Sequence, residues 1–126
     1  MEMEYYRCEN PDCGFVAENQ EPDVCPRCGG TFFLSVPEEE LTASDWVTLG
    51  NQAVEEKRGS EALAFYQQAA ARGDALGLTN LGWCLEAGIG VEADPAQAVL
   101  LYAQAAAMNY MPALTNLGYC YTYGIG

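Results

Sequence analysis

The sequence predicts a mainly α fold in which a small β-rich module precedes a solenoid of about two and a half helical hairpins. The repeat is visible directly, because residues 78–84 (LTNLGWC) recur 36 positions later as residues 114–120 (LTNLGYC). Four of the 6 cysteines lie ahead of the repeats, within the first 28 residues, and the composition changes near Val36. The predicted parts are a cysteine-rich module, an acidic linker with a helix start, and repeats with an incomplete last unit, over residues 1–36, 37–45 and 46–126.

The overall charge narrows the classes of function. The 126 residues include 18 Asp and Glu against 5 Lys and Arg, which gives a net charge of −13. A surface this acidic repels phosphate backbones and anionic lipid, so we expect no nucleic-acid and no membrane partner. The sequence has no histidine, which removes Ser-His and Cys-His catalysis, and we expect no enzymatic activity. The first residues lack the basic and apolar regions of a secretory signal, which indicates a cytoplasmic protein.

The four front cysteines form two closely spaced pairs. Four residues separate the members of the first pair, and two separate those of the second. A tetrahedral metal ion takes ligand pairs at such spacings on tight turns, and Gly14 and Gly29 follow the pairs where each turn needs a permissive φ. The predicted metal ligands are Cys8, Cys13, Cys25 and Cys28. Two disulfides are the alternative, which a reducing cytoplasm disfavours.

The stretch from Tyr6 through both cysteine pairs to Gly29 resembles the rubredoxin-like zinc ribbons. This resemblance implies zinc in a structural role or iron for electron transfer, and the C-x4-C spacing of the first pair, in place of C-x2-C, favours zinc. An iron redox module docked on the repeats is one alternative, and a nucleic-acid-binding ribbon, disfavoured by the charge, is another. We expect Arg7 and Arg27 to balance the metal-thiolate centre, and metal removal to unfold residues 1–36 while largely sparing the helices.

Helix signals follow the acidic linker in order. Thr42 and Asp45 fit a capping box that starts the first helix. Apolar residues at i, i+3, i+4 and i+7 predict a helix over residues 78–85, and Asp94 followed by Pro95 predicts the start of the next one. The predicted left-handed positions after the second helix of each unit are Gly73 and Asn109.

Residues 81–106 look like the Sel-one-like repeat, a variant of the tetratricopeptide repeat. They carry the pattern L-G-x-x-[LY]-x-x-G-x-G-V-x-x-D-x-x-x-A-x-x-x-Y-x-x-A-A. The upstream unit, from Trp46, fits the parent repeat better and is four residues shorter. The resemblance implies a right-handed α-solenoid whose first helices line a concave groove that binds other proteins, and this fold supplies no chemistry by itself.

The face of each first helix opposite the core supplies the predicted groove. The candidate groove residues are Asn80, Trp83, Glu86, Asn116 and Tyr119. The two rings would act as anchors, the asparagines could bond a peptide backbone, and the glutamate adds negative charge. These helices carry no Lys or Arg, so we expect the partner to be a basic or neutral, partly apolar protein or peptide. The alternative is that both rings pack between successive first helices.

The C-terminal segment is unusually apolar for the end of a solenoid. No Asp, Glu, Lys or Arg occurs from Pro95 to Gly126. We expect either a piece of a longer repeat protein or a dimer formed through the last helix, and both predict that this chain self-associates. The two remaining cysteines, Cys84 and Cys120, are expected to be buried small hydrophobes and not a redox pair.

Overall fold

The part of the chain that the structure describes folds into five α-helices preceded by a small sheet, which confirms the predicted fold class. The computed structural model describes residues 4–10, 13–18 and 22–126, so positions 1–3, 11–12 and 19–21 of the predicted front module lie outside it. The strands are β1 (Tyr5–Cys8), β2 (Val16–Glu18) and β3 (Phe33–Val36), followed by a 3-10 turn, Glu38–Glu40. The helices are α1 (Ala43–Glu55), α2 (Gly59–Ala71), α3 (Ala75–Ala87), α4 (Pro95–Ala106) and α5 (Met111–Tyr123).

The three strands form one antiparallel sheet in the order β2-β1-β3. Tyr5 of β1 lies opposite Glu18 of β2 on one side and Val36 of β3 on the other. Strands this short cannot form a stable sheet alone, because too little apolar surface is buried between them. The sheet therefore depends on the groups that cover its two ends and its face.

The helix boundaries follow the predicted capping residues. The Thr42 side chain accepts a hydrogen bond from the backbone N–H of Asp45, and the Asp45 carboxylate accepts one from the N–H of Thr42, which completes the capping box of α1. The Asp94 carboxylate accepts from the N–H of Gln97 at the start of α4. Asn109 has a φ of 61°, as its predicted position after α4 requires.

The helices stack in two layers. Each helix packs against the next one along the chain, and α1 also contacts α3, which in turn contacts α5. Glycines allow the close approach within each hairpin: a Cβ built on Gly82 of α3 would lie 2.8 Å from the ring of Tyr102 on α4, and one on Gly50 of α1 would overlap the ring of Tyr66 on α2. Both tyrosine rings are buried, and burial raises the pKa of Tyr66 to about 12.

The sheet packs directly on the first hairpin. Tyr5, Val16 and Val36 belong to the same buried cluster as Trp46 of α1 and Phe65 of α2. The ring of Tyr5 meets that of Trp46 edge-on at 5.8 Å, and Trp46 lies 5.9 Å from Phe65. The front module and the first repeat therefore share one core, and the apolar end of the helical stack is covered by the sheet.

Among the described residues, no helix is long and apolar enough to cross a membrane.

Candidate metal centre and interaction groove

The four predicted metal ligands come together at one end of the sheet. The Sγ atoms of Cys8, Cys13, Cys25 and Cys28 all lie within 4.8 Å of one another. The Cys8 and Cys28 sulfurs are 3.6 Å apart, and those of Cys13 and Cys25 are 3.5 Å apart. A tetrahedral ion with bonds of about 2.3 Å to sulfur holds its ligands roughly 3.8 Å apart, so the cluster has the dimensions that one metal ion needs.

The backbone around the second cysteine pair brings one N–H group to the Cys28 sulfur. Gly29 has a φ of 77°, and its N–H donates to the carbonyl of Cys25 at 2.9 Å, which closes the turn. The Gly30 N–H then points at the Cys28 sulfur at 3.4 Å, and this hydrogen bond lowers the pKa of Cys28 to about 7. A Cβ on Gly30 would lie 3.3 Å from that sulfur, so a side chain there would crowd the cluster. The Gly30 hydrogen bond therefore favours the thiolate form of Cys28, the form that binds metal.

Arg7 and Arg27, which were expected to balance the metal-thiolate centre, have different partners in the structure. Arg7 forms an ion pair with Asp45 through its Nη2 and donates a second hydrogen bond through Nε at 3.2 Å. Asp45 is buried at the start of α1, where its charge needs a partner, and Arg7 supplies it from β1. Arg27 donates from Nη1 to the carbonyl of Cys13 at 3.1 Å, which links the two cysteine turns.

Two further side chains fasten the sheet to the first hairpin. Gln52 of α1 donates from Nε2 to the carbonyl of Val16 at 2.7 Å. Arg58, just before α2, contacts Glu18 of β2 at 3.1 Å. Partners about 36 to 40 residues apart leave no periodic signal in a sequence, so pattern reasoning missed both contacts.

The predicted anchor rings of the groove are exposed. Trp83 on α3 is 41% exposed and Tyr119 on α5 is 54% exposed, at equivalent repeat positions. The described residues include no ring contact between the two, and Tyr119 instead pairs with Tyr123 at a centroid distance of 4.6 Å. These exposed fractions favour the groove prediction over the alternative in which both rings pack between successive first helices.

The polar groove candidates are less exposed than the two rings. Asn80 and Asn116 are half-buried at matching positions of α3 and α5. Glu86 is also half-buried, and its carboxylate accepts a hydrogen bond from the hydroxyl of Tyr102 at 2.8 Å. Glu86 therefore has a partner on the neighbouring helix, and its role in the groove stays a prediction.

The first helix has positions equivalent to the predicted groove positions, which the sequence analysis did not name. The 32-residue offset between the first two units places Thr48 and Asn51 at the positions of Asn80 and Trp83. Thr48 and Asn51 line a small cleft of about 190 Å³. Its other wall includes Pro26 and Arg27 from the second cysteine turn, so the front module borders the groove face of α1. The repeat offset was the available signal for these positions.

A scan against protein-family models matches the Sel1 repeat over residues 57–74, 75–110 and 112–126. The chain belongs to the Sel1 repeat family. Repeats of this family typically form non-catalytic scaffolds that bind other proteins. The matched segments begin after α1, so the family pattern includes α2 to α5 and leaves out the sheet and the first helix.

This Sel1 repeat protein is similar to two larger proteins. It is 41% identical over 59 residues to chitin synthase regulatory factor 3 of Schizosaccharomyces pombe, a match that spans 47% of this chain and 6% of the yeast protein. It also superimposes, with a TM-score of 0.64 and 31% identity, on the crystal structure of a protective antigen of uropathogenic Escherichia coli strains that displays an SLR fold. That match covers 69% of this chain and 19% of the antigen.

The two isolated cysteines lie inside the Sel1 repeats. Cys84 and Cys120 are both buried, in clusters that also hold Tyr66 and Tyr102 respectively. Burial raises the pKa of Cys84 to about 11, which keeps the thiol protonated at neutral pH. This placement agrees with the expectation that they act as small buried hydrophobes.

Proposed function

We propose that this Sel1 repeat protein is a non-enzymatic scaffold or adaptor whose groove binds a basic or neutral partner protein. The observation that carries the proposal is the repeated exposure of a large ring, Trp83 on α3 and Tyr119 on α5, on one face of the helical stack. Exposed aromatic side chains at regular spacing offer apolar anchors, and interfaces take much of their affinity from such rings. The net charge of −13 favours a basic partner over an acidic one and disfavours nucleic acid.

The similarity to the yeast protein is compatible with an adaptor role. That protein is named a regulatory factor of chitin synthase, and the present chain matches only a small part of it. Regulation of an enzyme through a repeat domain requires a binding surface and no catalytic group. We take this as support for binding in general, and the partner of this chain is to be identified by experiment.

We further propose that the four cysteines hold one zinc ion, with a structural role. The sulfur separations and the close Gly30 backbone fit a single four-thiolate ion, which would cross-link β1, the two turns and the chain leading to β3. The wide spacing of the first cysteine pair favours zinc over iron. A cytoplasmic location fits this assignment, because reducing conditions keep the thiols free. Elemental analysis of protein purified without chelator tests it, and iron with strong visible absorption would support the redox alternative.

Exposed apolar side chains on α5 support self-association through this helix. Leu114, Tyr121 and Tyr123 of this helix are exposed, and a Cβ on Gly118 would meet no atom within 4 Å. The equivalent glycine of α3, Gly82, is covered by a tyrosine ring. We propose that a second copy covers this face of α5 at high protein concentration.

Affinity capture from the source cells tests the scaffold function. The bait is the metal-loaded protein, compared with a Trp83→Ala/Tyr119→Ala variant. A Leu100→Ala variant is the matched control, because Leu100 is an exposed apolar side chain on α4, in the other helical layer. We expect at least one protein to be retained by the wild type and by Leu100→Ala and lost from the double variant. Equal retention by all three baits would contradict a role for the groove.

A further inference from the structure

A cleft of about 740 Å³ opens between β2 and the first helical hairpin, away from the exposed rings of α3 and α5. Its apolar walls come from Phe15 and Ala17 on the sheet side and from Ala64 and Phe65 on α2. The volume falls within the range of sites that accept a small ligand. This cleft exists only because the sheet packs on α1 and α2, so neither part of the chain forms it alone.

The mouth of this junction cleft is acidic. Glu18, Glu56 and Glu61 all line it, and one cation, Arg58, lies among them. Arg58 contacts the Oε2 atom of each carboxylate: Glu18 at 3.1 Å, Glu56 at 2.8 Å, and Glu61. Three carboxylates and one guanidinium leave a local charge of −2. One oxygen of each carboxylate is outside these contacts.

We propose that the junction cleft binds an arginine side chain of a partner protein. The aliphatic part and the flat face of a guanidinium fit against the rings of Phe15 and Phe65, and its N–H groups meet the carboxylates of Glu56 and Glu61. A neutral apolar side chain would leave the negative charge of the mouth uncompensated, and an acidic one would be repelled. The inference rests on the proposed scaffold function, since it gives one chemical reason why the partner is basic.

A titration of the zinc-loaded protein, followed by amide NMR, tests the site without any partner. The probe is N-acetyl-arginine amide, and the matched ligand is N-acetyl-citrulline amide, which keeps the shape and loses the charge. We expect chemical-shift changes at residues 15–18 and 56–65 with arginine, about fivefold weaker binding of citrulline, and weaker arginine binding in high salt. Equal binding of the two probes, or shifts spread over the acidic surface, would overturn the proposal.

Variants distinguish arginine binding in the cleft from a general attraction of arginine to the acidic protein. Glu56→Gln/Glu61→Gln should weaken arginine binding by about fivefold or more, whereas Glu39→Gln/Glu40→Gln, which removes the same charge from the exposed 3-10 turn, should leave it unchanged. Ala64→Phe fills the cleft without a charge change and should also abolish binding. Ala64→Phe keeps the proposal testable if the Glu56→Gln/Glu61→Gln variant folds poorly. If both double variants weaken binding equally, or Ala64→Phe has no effect, the inference is wrong.

These experiments distinguish a failure of the junction cleft from a failure of the scaffold function. Loss of arginine binding with intact, Trp83-dependent and Tyr119-dependent capture would reject the junction cleft alone. Arginine binding at the cleft without any captured protein would leave the cleft and reject the scaffold.

Discussion

Helices α1 and α5 occupy equivalent repeat positions but have different neighbours. The residue that is Trp46 in α1 is Leu78 in α3 and Leu114 in α5, and its exposed fraction rises from 2% to 8% to 43% along this series. The glycine of the same helices shows the same trend, because Gly50 and Gly82 are covered by tyrosine rings and Gly118 has no atom near its Cβ position. The sequence of a repeat thus sets which face is apolar, and the neighbours decide whether that face is buried.

The two helices also differ in what lies beyond them. The sheet places Tyr5 and Val16 against α1 and α2, where a solenoid would otherwise expose its first apolar face. No comparable element of the described chain lies on the outer side of α5. The front module therefore acts as a cap for the repeats, built from strands and a cysteine cluster instead of a polar helix.

Metal removal should produce the largest effect. Because Tyr5, Val16 and Val36 share a core with Trp46 and Phe65, loss of the cluster should expose both rings and destabilise the first hairpin by about 3 kcal/mol or more. This revises the expectation that the helices are largely spared. Circular dichroism at 222 nm during heating, with and without chelator, measures it. A Cys25→Ser variant should behave like the chelated protein, and an unchanged helical midpoint would show that the sheet does not cap the repeats.

A matched pair of glycine variants tests the comparison within the repeats. Gly82→Ala should destabilise the fold by about 1–3 kcal/mol, because the new methyl group lies 2.8 Å from the buried Tyr102 ring. Gly118 is the equivalent residue one repeat later, and a Cβ there would meet no atom within 4 Å. Gly118→Ala should therefore stabilise the fold by roughly 0.5–1 kcal/mol, because alanine has the higher helix propensity. Urea unfolding at low protein concentration measures both. The same sign for the two variants would show that α3 and α5 do not differ as described.

Groove variants should change binding and leave stability nearly constant. Trp83→Ala and Tyr119→Ala each remove an exposed ring, so the free energy of unfolding should change by less than about 1 kcal/mol. Partner affinity should fall by about 2 kcal/mol if the rings are anchors, roughly thirtyfold. Thermal unfolding measures the change in stability, and calorimetric titration with the captured partner measures the change in affinity. A drop in stability of about 3–5 kcal/mol would instead identify the ring as part of the core.

Introducing a charged side chain on α5 should produce the smallest effect on the stability of the fold. Tyr121 is 69% exposed, so Tyr121→Glu should hardly change stability and should reduce the apparent mass at high concentration. Sedimentation of wild type and variant over a wide concentration range measures this. The control is Leu100→Glu, at an exposed position of α4, which should leave the apparent mass unchanged. A wild-type monomer at every concentration would contradict self-association through α5.

Local signals account for the parts of the fold that could be predicted. The capping residues Thr42, Asp45 and Asp94 and the left-handed Asn109 each act over a few residues, and the structure has them in the predicted roles. The cysteine cluster was predictable because a metal ion needs paired ligands on tight turns.

Contacts between distant parts could not be predicted in the same way. Asp45 was recognisable as a cap but not as the partner of Arg7, because a cap is local and an ion pair across the junction is not. The junction cleft depends on how β2 lies over α1 and α2, which follows from the packing of Trp46, Phe65 and Val16 and from no short motif. The hydrogen bond from Tyr102 to the groove candidate Glu86 could not be predicted for a related reason, since Tyr102 reaches it from the next helix.

The hydrogen bond from Gln52 to Val16 has a consequence for how copies of this protein meet. Strand β2 is an edge of the sheet, and an open edge offers its carbonyl and amide groups to any extended chain that approaches. The amide of Gln52 already occupies the Val16 carbonyl at 2.7 Å, from a helix of the repeat domain. A foreign strand that bonds to the Val16 carbonyl would first have to displace the Gln52 amide. The first helical hairpin thereby makes this position of the sheet edge less accessible, just as the sheet covers the apolar face of that hairpin.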